Sequence, residues 1–133
     1  MAKKFGDMPG DMRKMMTQIQ AEALVQIQAE LGNEQVSPRD KGRLRSSWFA
    51  SAGSPSNAFA PEGADSPNTD ANNVEVKLTT PAWLSNNLPY ADSAIIEGNV
   101  TSQSRTWFKD FRSSRIPKIY DAAAKAVRAE GGF

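Results

Sequence analysis

Between residues 53 and 73 the chain carries one large apolar side chain, Phe59, among Ser, Pro, Asn, Ala, Gly and Asp. A segment that long with so little to bury cannot offset the entropy of ordering a packed element, so it reads as an extended, flexible loop outside the core. The fold must then be built from what lies on either side. Of 133 residues, 39% are apolar, but alanine supplies 18 of them, and Leu, Ile, Val and Phe together supply only 24. That is enough for one domain with a thin core, helped by neighbouring subunits. A net charge of +1 is too low for charge-driven disorder.

Two residue types are missing altogether. Without Cys there are no disulfides, thiolate nucleophiles or thiolate metal sites; without His the commonest metal ligand and neutral-pH general base are gone. The remaining candidates are sparse. Asp92 and Glu97 do not share a helical face, Asp7 and Asp11 are too few for an acidic metal site, and no glycine-rich phosphate loop occurs. The expectation is a non-enzyme without cofactor or metal. No apolar run is long enough to span a membrane or serve as a signal peptide, which suggests a soluble protein of the cytoplasm where it is made.

Periodicity supplies the elements. Met12, Met15, Ile19, Ala23, Ile27 and Leu31 recur at helical spacing, widened by Met16 and Leu24, and predict a helix over 11–31 that Gly32 ends in the left-handed conformation. Asp40 is a plausible N-cap for a short turn through Arg45, followed by a strand over 48–52 with Trp48 and Phe49 on opposite faces. Val74, Val76 and Leu78 alternate with polar residues and predict a strand over 74–79, and Trp83-Leu84-Ser85 a further short one. A short helix is expected over 90–97. Ile116, Ile119, Tyr120, Ala123 and Val127 predict a C-terminal helix with Pro117 in its first turn. Residues 106–111 fit strand or helix, and helix is preferred. The class that follows is α+β: a long N-terminal helix and a C-terminal helix packed on a small antiparallel sheet with a long hairpin loop.

Charge is segregated. Residues 1–45 hold 8 basic and 6 acidic side chains, residues 46–104 hold 1 and 6, and residues 105–133 hold 7 and 3. Arg39, Lys41, Arg43 and Arg45 adjoin Trp48 and Phe49, while Arg105, Lys109, Arg112, Arg115 and Lys118 adjoin Trp107, Phe108 and Phe111. Such interleaving is what phosphate contact plus base stacking requires, so a small basic nucleic-acid-binding module is one reading. A solvated face, or salt bridges to the acidic segment of a neighbouring subunit, is the favoured one.

Two stretches resemble a family. Ser37-Pro38-Arg39-Asp40-Lys41-Gly42-Arg43-Leu44-Arg45-Ser46-Ser47-Trp48, continuing to Gly53-Ser54-Pro55, resembles the P-x-D-T-G-R-L-R-x-S-W…G-x-P stretch of bacteriophage neck and tail-completion proteins. Downstream, Trp83-Leu84-Ser85-Asn86-Asn87-Leu88-Pro89-Tyr90-Ala91 followed by Glu97-Gly98 is similar to that family's I-x-N-N-L-P-Y-A…L-E-x-G stretch, in the same order. Lys41 stands where the family usually has Thr, and after Gly98 the chain departs from the family's Ala-Pro-x-Gly segment and following strand.

The resemblance implies a structural virion subunit at the neck/tail junction. It would form a homo-oligomeric ring, six-membered in this reading, that joins head to tail and passes duplex DNA without sequence-specific binding. Its neighbours would be neck, connector and tail-tube proteins, and a tail terminator or head-closure stopper of the same region is the alternative. In that setting Asp40 and Gly42 shape a turn and Arg43 pairs with a carboxylate. Trp48 anchors the hairpin, and Asn87 and Pro89 aim Tyr90; Glu97 completes the set. Glu62, Asp65, Asp70 and Glu75 are the candidates for an acidic channel wall that lets DNA slide.

Overall fold

The computed structural model describes residues 10–33, 43–89, 91, 94, 95 and 106–131. Helix α1 (Gly10–Leu31) leads to a single turn, α2 (Arg43–Ser46), and strand β1 (Trp48–Ala52). A long connection with one 3-10 turn (Asp70–Asn73) reaches strand β2 (Ala82–Asn86). Helix α3 (Trp107–Asp110) then runs through a widened turn (Phe111–Arg115) into α4 (Ile116–Gly131). The two strands pair antiparallel with Trp48 opposite Asn86 and Ala52 opposite Ala82. The α+β architecture read from the sequence is the one present, with α1 and α4 packed against each other over the small sheet.

The core follows the apolar periodicities. Ala23 and Leu31 of α1 meet Ile119 and Ala123 of α4, together with Leu44, Trp48, Leu88, Ala91, Ala94, Ile95, Trp107 and Phe111. Trp48 and Phe108 stack with centroids 6.1 Å apart, and Phe108 meets Trp107 edge-on at 5.6 Å. A second cluster, Leu24, Ala71 and Val76, fills the space beneath Ala50, Ala82 and Leu84 of the sheet. Met12 and Tyr120, assigned to apolar stripes by spacing, are more than a third exposed because they lie at the margins of these contacts.

Three expectations are corrected. Residues 74–79 form no strand: Val74 and Val76 pack inward as predicted, but residues 77–80 close a turn in which the Thr80 amide donates to the Lys77 carbonyl, leaving Leu78 exposed. Gly32 does not adopt a left-handed conformation. Its amide continues the helical pattern to the Gln28 carbonyl (2.9 Å), and a Cβ there would lie 2.7 Å from Pro67 Cβ. Glycine is required by a close approach and not by φ. Pro117 lies in the first turn of α4, as expected, and the turn before it is also helical: Phe111 and Ile116 both have right-handed helical dihedrals. The widened turn, in which the Ile116 amide reaches back to Phe111, accommodates a residue that lacks an amide proton and crowds the preceding turn.

The third concerns residues 53–73, which are not excluded from the core. Ala60 and Ala71 are buried. Polar side chains of the body supply the anchoring that apolar residues of the segment do not. The short helix expected over 90–97 falls mostly outside the described residues; within it Ala91, Ala94 and Ile95 are helical and buried.

Candidate functional site

The long connection is fastened at four places, each by a polar side chain whose neighbours in sequence fix its direction. Gln28 sits on the apolar side of α1, 2% exposed, because the chain returns across it. Its Oε1 accepts from the Ala71 amide (2.9 Å), and its Nε2 donates to the Trp48 carbonyl (3.0 Å) and to Asp70 Oδ1. Asp70 Oδ1 also accepts from the Ala50 amide at 3.0 Å. One amide and one carboxylate thus tie helix, strand and connection together, with every buried hydrogen-bonding group of Gln28 engaged.

Helix α2 supplies the next two fastenings from one short stretch. Arg45 Nη2 donates to Asp65 Oδ1 (2.8 Å) and to the Asp65 carbonyl (2.9 Å), and Nη1 donates to the Gly32 carbonyl at 3.0 Å. Arg43 Nε donates to the Ala60 carbonyl (2.9 Å), and its guanidinium lies over the Phe59 ring, 5.8 Å from the centroid. Ser47, fully buried, accepts from the Ala60 amide (3.1 Å) and donates to the Arg43 carbonyl (2.8 Å). The fourth fastening comes from the end of β2. Asn87 Nδ2 donates to the carbonyls of Ser56 (2.6 Å) and Ala58 (2.9 Å), while Asn86 Nδ2 holds the Leu44 carbonyl (3.0 Å).

These contacts revise the roles expected of the motif residues. Arg43 binds a carbonyl and an aromatic ring in place of a carboxylate. Trp48 is buried, although its Nε1 has no hydrogen-bond partner among the described residues. Asn87 clamps the connection, whereas Pro89 is exposed. Asp40, Gly42, Tyr90 and Glu97 lie outside the described residues.

Of the four carboxylates assigned to an acidic wall, Asp65 and Asp70 are consumed internally by Arg45 and by Gln28 with the Ala50 amide. Glu62 and Glu75 are exposed, Glu75 at 4.0 Å from Lys77. Sequence reasoning missed Gln28, Arg45 and Ser47 as determinants. For Arg45 and Ser47 the signal was present in their place within the motif; for Gln28 there was none beyond its spacing four residues before Gly32.

Of the aromatic residues beside the two basic runs, Trp48, Trp107 and Phe111 are buried, while Phe49 is half-buried. Trp107 Nε1 donates to the Ala94 carbonyl at 2.9 Å, and Phe108 is held between Trp48 and Trp107. Arg115 is engaged in a two-point pair with Glu30 at 2.9 Å, which raises its pKa above the ordinary arginine value. Lys109, Arg112 and Lys118 remain exposed. Among the described residues no cluster of three His, Cys, Asp or Glu could hold a metal, and no helix is long and apolar enough to cross a membrane.

Comparison with protein families, curated proteins and solved structures returned no match. The geometry therefore stands by itself: a set of side chains built to hold a long connection against a small body.

Proposed function

We propose that the chain is a structural subunit of the bacteriophage neck or tail-completion region, assembling into a homo-oligomeric ring that joins head to tail and lets duplex DNA pass. The observation that carries this reading is where the motif side chains go. Arg43, Arg45, Ser47 and Asn87, which lie in the two stretches that resemble the neck family, all grip residues 56–65. A small subunit that spends its distinctive residues on presenting one long connection is suited to contact with neighbours, and its thin core favours such contact. Glu62 and Glu75 are the carboxylates left to face a lumen. A basic surface on α3 and α4, through Lys109, Arg112 and Lys118, suits acidic patches of adjoining rings, where charge complementarity fixes orientation.

The nucleic-acid-binding alternative loses Trp48, Trp107 and Phe111 to the core. A head-to-tail interface that closes gives a ring. Native mass spectrometry of the purified chain, alone and with the neck and tail-tube proteins of its phage, should find a closed oligomer, six subunits in this reading. A chain that stays monomeric with those partners, or one that binds duplex DNA at submicromolar concentration with steep salt dependence, rules the proposal out.

A further inference from the structure

Among the described residues the sheet has two strands, a size that is marginal without a further strand or layer, and the chain treats its two edges differently. The Gly53 amide donates to the Pro81 carbonyl (2.8 Å), so in this register odd-numbered residues of the strands face each other and even-numbered ones point their amides and carbonyls outward. On β1 two of the outward groups are closed by side chains: the Trp48 carbonyl accepts from Gln28, and the Ala50 amide donates to Asp70. On β2 the outward groups of Ala82, Leu84 and Asn86 have no hydrogen-bond partner among the described residues.

Nothing in β2 repels another strand. Its sequence, Ala-Trp-Leu-Ser-Asn, lacks charge and proline, the usual protection of an open edge. Trp83 stands 39% exposed on the face away from α1, with Phe49 diagonal to it in the register.

We propose that β2 pairs with β2 of a second copy of this chain, antiparallel and centred on Leu84, making a four-stranded sheet. The strand fits its own copy. Centring on Leu84 sets Ala82 opposite Asn86 and Trp83 opposite Ser85 of the second copy, so the largest side chain meets a small one and no like charges meet. All three outward residues gain backbone partners. On the outer face the two Trp83 rings become diagonal neighbours, flanked by the two Phe49 rings, within the reach of aromatic side chains. A shift of one residue would turn Trp83 to the wrong face, so the register is defined. The contact is isologous and gives dimers, whereas ring closure needs a separate head-to-tail contact. The inference therefore does not rest on the neck reading, and either can fail alone.

The chain has no cysteine, which permits a clean register test. Residues 83 and 85 of the two copies would form non-hydrogen-bonded pairs with Cα atoms about 4.5 Å apart, within disulfide range. A Trp83→Cys chain mixed with a Ser85→Cys chain under mild oxidation should give a disulfide-linked dimer that neither variant gives alone. In the unsubstituted chain, hydrogen exchange at the Ala82, Leu84 and Asn86 amides should slow as concentration rises, while the already paired Trp83 and Ser85 amides stay constant. Trp83→Lys should weaken dimerisation roughly tenfold or more in sedimentation, with the unfolding transition of the monomer kept. Absence of the mixed disulfide, equal cross-linking in the separate variants, or exchange that is flat with concentration overturns the proposal; flat exchange would mean that the edge stays open for a strand of another protein.

Discussion

Gln28 is the residue on which most of the fold's polar order converges, and it is also the least legible. On a helix whose neighbours include Gln18, Gln20, Glu22, Gln26 and Glu30, one more glutamine reads as solvated; only the return of a segment more than forty positions later makes it central. Gln28→Leu would strand the Ala71 amide and the Trp48 carbonyl, each a buried group left without its partner. Urea unfolding should record a loss of about 3 kcal/mol. Asp70→Asn keeps the accepting oxygen and should cost under about 1 kcal/mol, whereas Asp70→Ala should cost about 2 kcal/mol. Gly32 offers a case where helix propensity gives the wrong sign. Alanine there should favour the helix, but its Cβ would meet Pro67 Cβ at 2.7 Å. We expect Gly32→Ala to destabilise by about 1–3 kcal/mol in the same measurement.

Among the elements, those with long periodic stripes were readable and those defined by partners were not. The helices Gly10–Leu31 and Ile116–Gly131 followed from spacing alone because each buries one face along its length. Residues 74–79 have the alternation of a strand, yet a strand needs a ladder, and the turn at 77–80 carries the backbone away from one. The connection over 53–73 misled in the opposite direction: composition reported few apolar groups, while its anchors belong to Arg43, Arg45, Gln28 and Asn87 elsewhere in the chain. Arg45→Ala should release the Asp65 carboxylate and both carbonyls that the guanidinium holds. Limited proteolysis should then cut near Asp65 several-fold faster than in the parent, with about 2 kcal/mol lost on unfolding. Pro117 belongs at this scale too. In a regular helix interior its removal would gain about 3 kcal/mol; behind a turn already widened for it, Pro117→Ala should change stability by under about 1 kcal/mol.

For the molecule as a whole, the two long helices, the aromatic cluster and the two-stranded ribbon of the described residues leave little reserve. Trp48 joins all three, touching the ribbon by its backbone and Phe108 by its ring. Trp48→Ala should cost about 3–5 kcal/mol, a large part of the stability of any domain of this size, and calorimetry should find the transition lowered or lost.

The pairing of α1 with α4, sealed by Glu30 and Arg115, also fixes when the chain can fold. Helix α1 is made well before its partner α4. The ribbon offers no early substitute, because joining its strands through residues 53–81 costs roughly 2 kcal/mol more in closure entropy than a tight hairpin would. During synthesis α1 must therefore wait, its apolar stripe uncovered, until α4 has left the exit tunnel. Folding of this domain therefore waits on the emergence of α4, and the contacts of highest sequence separation set its rate.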